Sequence, residues 1–266
     1  MMLLLLVFIL LISITKAGES LKNFPDKYRV IFLPEEHTSK EDHAFQLKVV
    51  KFLQSKGYRF FIAMEMFQQP FQSALDDYIA CRIEEEEMLK RTEYGKRWGF
   101  DESLYRDIWR FAKEKGIRIV AINIPTELVH KIRAEGLERS KDEHLPNPII
   151  PLSEEERREL REFLAFHPRV EEKRFFDVQN AWDNGMALAI VRLLEKHPDY
   201  KVVVLVGRGH ANNLDRGIPR RLRILKPDVS MLIMKREEFQ RDFLFSIDFS
   251  NESSSASSIK EPNCKP

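Results

Sequence analysis

Three residues far apart in the chain carry side chains suited to chemistry, and each follows an apolar run. Tyr28–Leu33 leads into Pro34-Glu35-Glu36-His37, Phe60–Ala63 into Met64-Glu65-Met66, and Val202–Val206 into Gly207-Arg208-Gly209-His210. In an open parallel sheet the C-terminal strand edges form the ligand crevice, so His37, Glu65 and His210 are expected to converge there. Two neutral imidazoles and a carboxylate with open coordination positions suit a divalent metal, catalytic zinc or non-haem iron. Glu35 or Glu36, pointing inward, would be the general base on a metal-bound water. The plain alternative for each histidine is a hydrogen-bonded polar residue at a strand end. Glu65 sits between Met64 and Met66 and needs a partner if buried, which a structural salt bridge would also supply.

Positioning such residues calls for an α/β fold, and strand and helix patterns do alternate along the chain. Further β-type runs lie at Ile117–Ile122 and Ser230–Met234, with an edge strand expected at Phe243–Asp248. Helical segments are expected at Asp42–Ser55, Pro70–Lys90, Glu102–Lys115, Glu127–Ala134, Glu154–Ala165 and Phe175–Lys196. Ser153 followed by Glu156 reads as a capping box opening the fifth of these. The stretch Asn123–Tyr200 is too long for one crossover helix, so a helical lobe over the strand ends is expected, able to close a site against water. The expected architecture is thus a central, mainly parallel sheet flanked by helices, with that lobe above its C-terminal edge.

Within this frame other residues acquire roles. Asn123 follows the third strand, where the crevice should be, and would orient a ligand or close a turn before Pro125. Gln179 and Asp183 are one helical turn apart and face the same way. Asp183 would fix the tautomer of His37 or His210, or capture an arginine of the lobe. Arg208, Arg216, Arg220, Arg221 and Arg223 cluster around the last motif, and their guanidinium forks suit carboxylates or phosphates. The run Glu84–Glu87 reads as solvated helix surface.

Composition sets the outer limits. The 266 residues, 43% hydrophobic and 32% charged, are enough for one domain with a full core. A net charge of +1 gives no reason to expect nucleic acid as a partner. Met1–Ile14 is almost wholly apolar and Thr15–Gly18 is small and polar, so residues 1–17 read as an export signal, too short to span a bilayer comfortably. No cysteine follows that segment closely enough for a lipid anchor. The two cysteines, Cys81 and Cys264, have no spacing that asks for a bridge and are expected as free thiols. The serine-rich residues 250–266 read as a disordered tail, leaving 18–249 as the domain.

The ordered set of motifs resembles the ChaN-like proteins. It comprises E-x-H after the first strand, His43 and Gln46 in the next helix, A-M-E-M-F, then Trp98, Tyr105 and F-A-K-E-K-G-I-R-I-V-A-I-N-I-P. Gln179, Trp182, Asp183, Met186 and Ala187 follow, then V-G-R-G-H and G-I-P-R-R-L, over about Arg29–Leu225. The resemblance implies an exported, periplasmic haem-binding protein of iron acquisition, with cofacial haems shared by a homodimer. It also implies kinship with the Tiki and TraB group, marked by two GxxH motifs and a glutamate. Here Pro34 replaces the first glycine, which leaves either an altered turn or a remodelled site.

Haem requires an axial His, Met, Cys or Tyr, and tyrosinate suits ferric haem that is bound rather than used for electron transfer. Tyr105 matches a family tyrosine; His43, Tyr78 and Tyr94 are alternatives, and Arg208 and Arg220 are the expected propionate partners. Three readings result. They are a haem-binding protein of iron acquisition, a metal-dependent hydrolase of the Tiki/TraB type using His37, Glu65 and His210, and an exported scaffold.

Overall fold

The computed structural model describes residues 24–166 and 170–237. Five strands, β1 (Val30–Glu35), β2 (Phe60–Gln68), β3 (Ile119–Asn123), β4 (Lys201–Gly207) and β5 (Met231–Ile233), form one sheet in the order β3-β2-β4-β1-β5. Every pairing is parallel. The sheet alternation divides the apolar residues between two cores. Ile31, Leu33, Ile62, Met64, Val203 and Leu205 face one side, packed with residues of α2 (Lys40–Ser55), α3 (Gln72–Ile79) and α6 (Arg106–Lys115). Val30, Phe32, Phe61, Ala63, Val202, Val204 and Val206 face the other, under α9 (Glu172–Lys196) and α10 (Gly217–Leu225). With both faces covered, these strands read as continuous apolar runs, and each fully buried side chain contributes about 1.5–3 kcal/mol.

Pro34 occupies the penultimate position of β1, opposite Val206. Along this strand Val30 and Phe32 turn their backbone groups toward β5, bonding Ser230 and Met234. Pro34 continues that alternation beyond the last β5 residue paired to β1. Its missing N–H therefore interrupts no ladder, and proline is accommodated without a new turn.

The expected helix at Pro70–Lys90 is corrected. It is a 3-10 turn (Gln69–Phe71), then α3, a left-handed residue at Cys81 (φ 58°), and a separate α4 (Glu85–Arg91). The free thiol expected at Cys81 is also corrected, since this cysteine is disulfide-bonded. The chain's other cysteine, Cys264, lies outside the described residues, as do the signal segment, the strand expected at Phe243–Asp248 and the serine-rich tail. Two short helices, α1 (Phe24–Lys27) and α5 (Tyr94–Arg97), and the helix α10 complete the β-sheet surround.

The lobe between β3 and β4 consists of α7 (Thr126–Glu135), a long loop, and α8 (Glu154–Leu164), ahead of α9. The capping box expected at Ser153 and Glu156 is present in both directions, 3.2 and 2.7 Å. Asn184 of α9 holds the lobe loop by bonding both the N–H and the C=O of Ile150, at 2.8 and 3.0 Å. Among the described residues no helix is long and apolar enough to cross a membrane.

Candidate functional site at the strand ends

β1 ends by burying Glu35, 1% exposed, on the side of α2. A carboxylate so placed must collect donors. Tyr105 donates its hydroxyl to Oε1 at 2.6 Å, Gln46 its amide to Oε2 at 2.6 Å, and His37 Nδ1 lies 3.0 Å from Oε1. His43 Nδ1 adds a contact of 3.3 Å to Oε2, while its Nε2 faces the His37 carbonyl at 3.1 Å. Burial pushes the Glu35 acid up, but the bonds from His37, His43 and Tyr105 outweigh it and bring the value down to about 2. Burial opposes charge on His43 as well, yet the bond and charge of Glu35 raise it. Both of its ring nitrogens face acceptors, which suits the doubly protonated form.

The anionic Glu35 assigns the proton of His37 to Nδ1, so Nε2 is the free acceptor. The ring of His37 is set by Trp98 and Phe100, each with its centroid 4.8 Å away. Gly207, on the neighbouring strand, is required by this placement. A Cβ there would lie 2.7 Å from His37 Cε1 and 2.9 Å from Nε2. The imidazole fills the space that any side chain at 207 would need.

The second histidine is held from the other face. The Gly207–His210 turn closes by His210 N–H donating to the Gly207 carbonyl at 3.0 Å, and Ile218 N–H caps the His210 carbonyl at 2.9 Å. Gly217, at φ +55°, lets the chain pass that carbonyl, where a Cβ would collide. His210 Nδ1 lies 2.7 Å from Asp183 Oδ1, and Nε2 lies 3.4 Å from Glu65 Oε1. Burial opposes the imidazolium, but the charge of Glu65 and the bond to Asp183 raise it to about 9. Glu65 Oε2 also accepts the Gly207 N–H at 2.7 Å. β2 does not stop at Glu65 as its apolar pattern suggests. It runs on to Gln68 through a register shift after Met64 that turns Glu65 into the crevice.

Asp183 meets both an imidazole and an arginine. Besides His210 it meets Arg221 at 3.4 Å, a fully buried guanidinium that also bonds Glu156 at 2.8 Å and Asn180 at 2.7 Å. Glu156 in turn accepts the N–H of Gly217 at 2.9 Å. The capping residue of the lobe is therefore linked through buried charges to His210.

His37, Glu65, His210 and Asn123 line one cavity of about 340 Å³, with Trp98, Phe100, Trp182, Ile124 and Val129 as apolar walls. Its polar rim is formed by Arg97, Thr126, Gln68, His130 and Arg133. Asn123 donates to the Glu65 carbonyl at 3.1 Å, while its Oδ1 has no hydrogen-bond partner among the described residues. His130 and Arg133 of the lobe helix α7 had no recognisable motif around them; only their i, i+3 spacing was visible in the sequence.

Other expected site residues lie elsewhere. Tyr105 and His43 are buried behind Glu35, not at the cavity. Burial, followed by the Glu35 charge, raises Tyr105, so a tyrosinate is unfavourable there. Its ring stacks on that of Trp109 in the core. Tyr78 and Tyr94 are likewise core residues. Arg208 turns to Asp42 (3.0 Å) and Glu237 (2.7 Å), with Glu36 3.7 Å away, and Arg220 to Pro151 (3.0 Å) and Glu156 (3.2 Å). Buried Asp42 draws Arg208 away from the crevice, so neither arginine meets a ligand held there. Gln179 is half-buried on α9 and does not line the cavity. Among the described residues no group of three or more acidic, histidine or cysteine side chains is disposed to hold a metal ion. Glu65 meets His210, and His37 bonds Glu35 through Nδ1 alone.

A parallel sheet with a lobed, aromatic cavity at its strand ends has the form in which small-molecule sites are built. The profile of the haem-binding uptake family ChaN, of the Tiki superfamily, matches residues 25–222, and the chain belongs to that family. ChaN of Campylobacter jejuni, solved with cofacial haem, is similar in fold at a TM-score of 0.58 and 18% identity, covering 79% of this chain and 81% of that one. The erythromycin esterase EreC in its open conformation gives a TM-score of 0.47 at 13% identity, covering 79% and 70%. The type III effector HopBA1 gives 0.45 at 16%, covering 77% and 75%. No protein of curated function matches the chain.

Proposed function

We propose that the protein binds haem in the strand-end cavity, as an exported member of its family serving haem or iron acquisition. The observation that carries this is a cavity with indole and phenyl walls into which one imidazole presents a preset lone pair. Trp98, Phe100 and Trp182 offer flat apolar faces, and His37, fixed through Nδ1 by Glu35, offers Nε2. Bound haem would supply a ferric iron open to axial ligation. Among the described residues no tyrosine lines the cavity, so the fit is to an imidazole donor rather than to a phenolate. Export is supported by the apolar N-terminal segment and by the disulfide at Cys81, which suits an oxidising compartment. Cofacial haem in the C. jejuni protein supports a homodimer that stacks two haems across its cavity mouths.

Titration of ferric haem into protein purified without a histidine tag tests the reading. A Soret shift is expected, strongly altered in His37→Ala and unchanged in Tyr105→Phe. Absence of any shift with the wild-type protein would overturn it.

A second reading rests on the two histidines facing one cavity with different partners. His37 Nε2 is an acceptor and His210 an imidazolium across one cavity, a pairing suited to general acid–base hydrolysis. The divalent-metal version requires Glu65 first to release Gly207 and His210. Turnover of a chromogenic ester by haem-free protein, lost in both His37→Ala and His210→Gln, would favour this reading. Zinc bound stoichiometrically would favour its metal form.

A further inference from the structure

The arginines grouped near the last motif in the sequence are consumed by other partners in the fold. Arg208 is taken by Asp42 and Glu237, Arg220 by Glu156, Arg221 by Glu156 and Asn180, and Arg223 by Asp215. Two other guanidinium groups reach the cavity, Arg97 and Arg133. Arg97 is neutralised. It makes a two-pronged pair with Glu127 at 2.7 and 2.9 Å and adds Glu93 at 2.9 Å, while its face covers Phe71. Arg133 is exposed, one helical turn after exposed His130 on α7, and neither makes an ion pair or hydrogen bond among the described residues.

The cavity is therefore asymmetric. Its floor is occupied by internal pairs: Glu35 meets His37, while Glu65 and Asp183 share His210. Its walls are apolar, and its mouth carries an uncompensated guanidinium beside a free imidazole. A ligand complementary to all three zones has a flat apolar body and an anionic group at the end that stays nearest solvent. Asn123 Oδ1, on the same wall, has no hydrogen-bond partner among the described residues.

Resting on the haem reading, we infer that Arg133, assisted by His130, is the carboxylate reader of this cavity and makes propionates a requirement for binding. A guanidinium meets a carboxylate through paired, charge-assisted bonds, stronger than neutral ones and specific in orientation. Esterifying the propionates removes that charge while keeping the macrocycle, the iron and the apolar contacts. Selection between haem and its ester therefore isolates the mouth from the rest of the site.

The experiment compares binding of ferric haem and of its dimethyl ester by Soret titration in matched detergent, with wild type, Arg133→Gln, Arg133→Lys and His130→Asn. The wild type is expected to prefer haem by about tenfold or more, one charge-assisted bond's worth of selectivity. Arg133→Gln should abolish the preference by weakening haem alone, leaving ester affinity and the Soret position unchanged. Arg133→Lys should restore part of it, His130→Asn should reduce it less, and added salt should diminish it. Equal binding of haem and ester by the wild type, or a preference that survives Arg133→Gln, overturns the inference while leaving haem binding in place. Failure of the wild type to bind either compound overturns both. Arg133 is exposed on its helix, and an unchanged melting temperature in the variants would confirm that the fold is intact.

Discussion

His37 takes its carboxylate from Glu35, two residues away, whereas His210 takes Asp183 from a helix that ends before β4 begins. The first arm is assembled within β1, its turn and α2, with Tyr105 the distant contributor. The second needs β2 for Glu65, α9 for Asp183, α10 for Arg221 and α8 for Glu156. Charge differs as well as construction. In the first arm Glu35 is pulled down to about 2, whereas in the second it is the imidazole that shifts, up to about 9. One floor thus combines a locally built acceptor with a cation that depends on the whole lobe.

The contrast is broken most severely at Glu35. Glu35→Leu leaves the Tyr105 hydroxyl, the Gln46 amide and two imidazoles facing an apolar group, and should cost about 3–5 kcal/mol in urea unfolding. A loss below that of an Asp183 variant would reverse the ranking of the two arms. Asp183→Asn keeps shape but deprives His210 and Arg221 of charge, and about 2–3 kcal/mol is expected. NMR titration should find the His210 value well below that of the wild type.

The pH dependence separates the arms by sign. His210, raised from 6.5 to about 9 on folding, contributes stability that is fully present below pH 6.5 and lost as pH rises through about 9. Glu35, lowered from 4.5 to about 2, contributes stability that is present above pH 4.5 and lost as pH falls through about 2. Urea midpoints should therefore decline on the alkaline side through the second arm, and that decline should shrink in Asp183→Asn. A wild-type midpoint that stays flat from pH 6.5 to 9.5 would count against the imidazolium.

Smaller effects sharpen the picture. Gly207→Ala pushes a methyl into the His37 ring, costing about 1–3 kcal/mol by overpacking and altering the Soret band through displaced His37. At the rim, Glu127→Gln breaks an exposed pair and should cost no more than about 1 kcal/mol, with Arg97 kept in place by Gln68 and Glu93. A larger loss would mean that the rim, too, is a structural network.

The parallel sheet and the convergence of His37, Glu65 and His210 were legible because both depend on strand endings that apolar runs mark clearly. The capping box at Ser153 was legible for a similar reason, being a local pattern. The direction of the arginines was not. Arg208 and Arg220 look like rim cations by position, but buried Asp42 and Glu156, remote in sequence, take them. Tyr105 matched a family position, yet its environment is set by Glu35, 70 residues earlier, which no local pattern reveals. Arg133 escaped notice because an exposed arginine near a helix C-terminus has an ordinary reason to be there.

Glu156 gives the molecule a mechanical property. One oxygen takes Gly217 N–H and Arg221, the other takes Ser153 N–H and Arg220, so a single carboxylate pins the start of α8 to the start of α10. It works as a latch whose release on one side releases the other. The lobe cannot swing away without withdrawing the counter-charge of Arg221 and freeing that guanidinium to pull on Asp183. Opening of the roof and loosening of the His210 imidazolium are then one event, and the amides of Ser153 and Gly217 should exchange with solvent together, through the same opening.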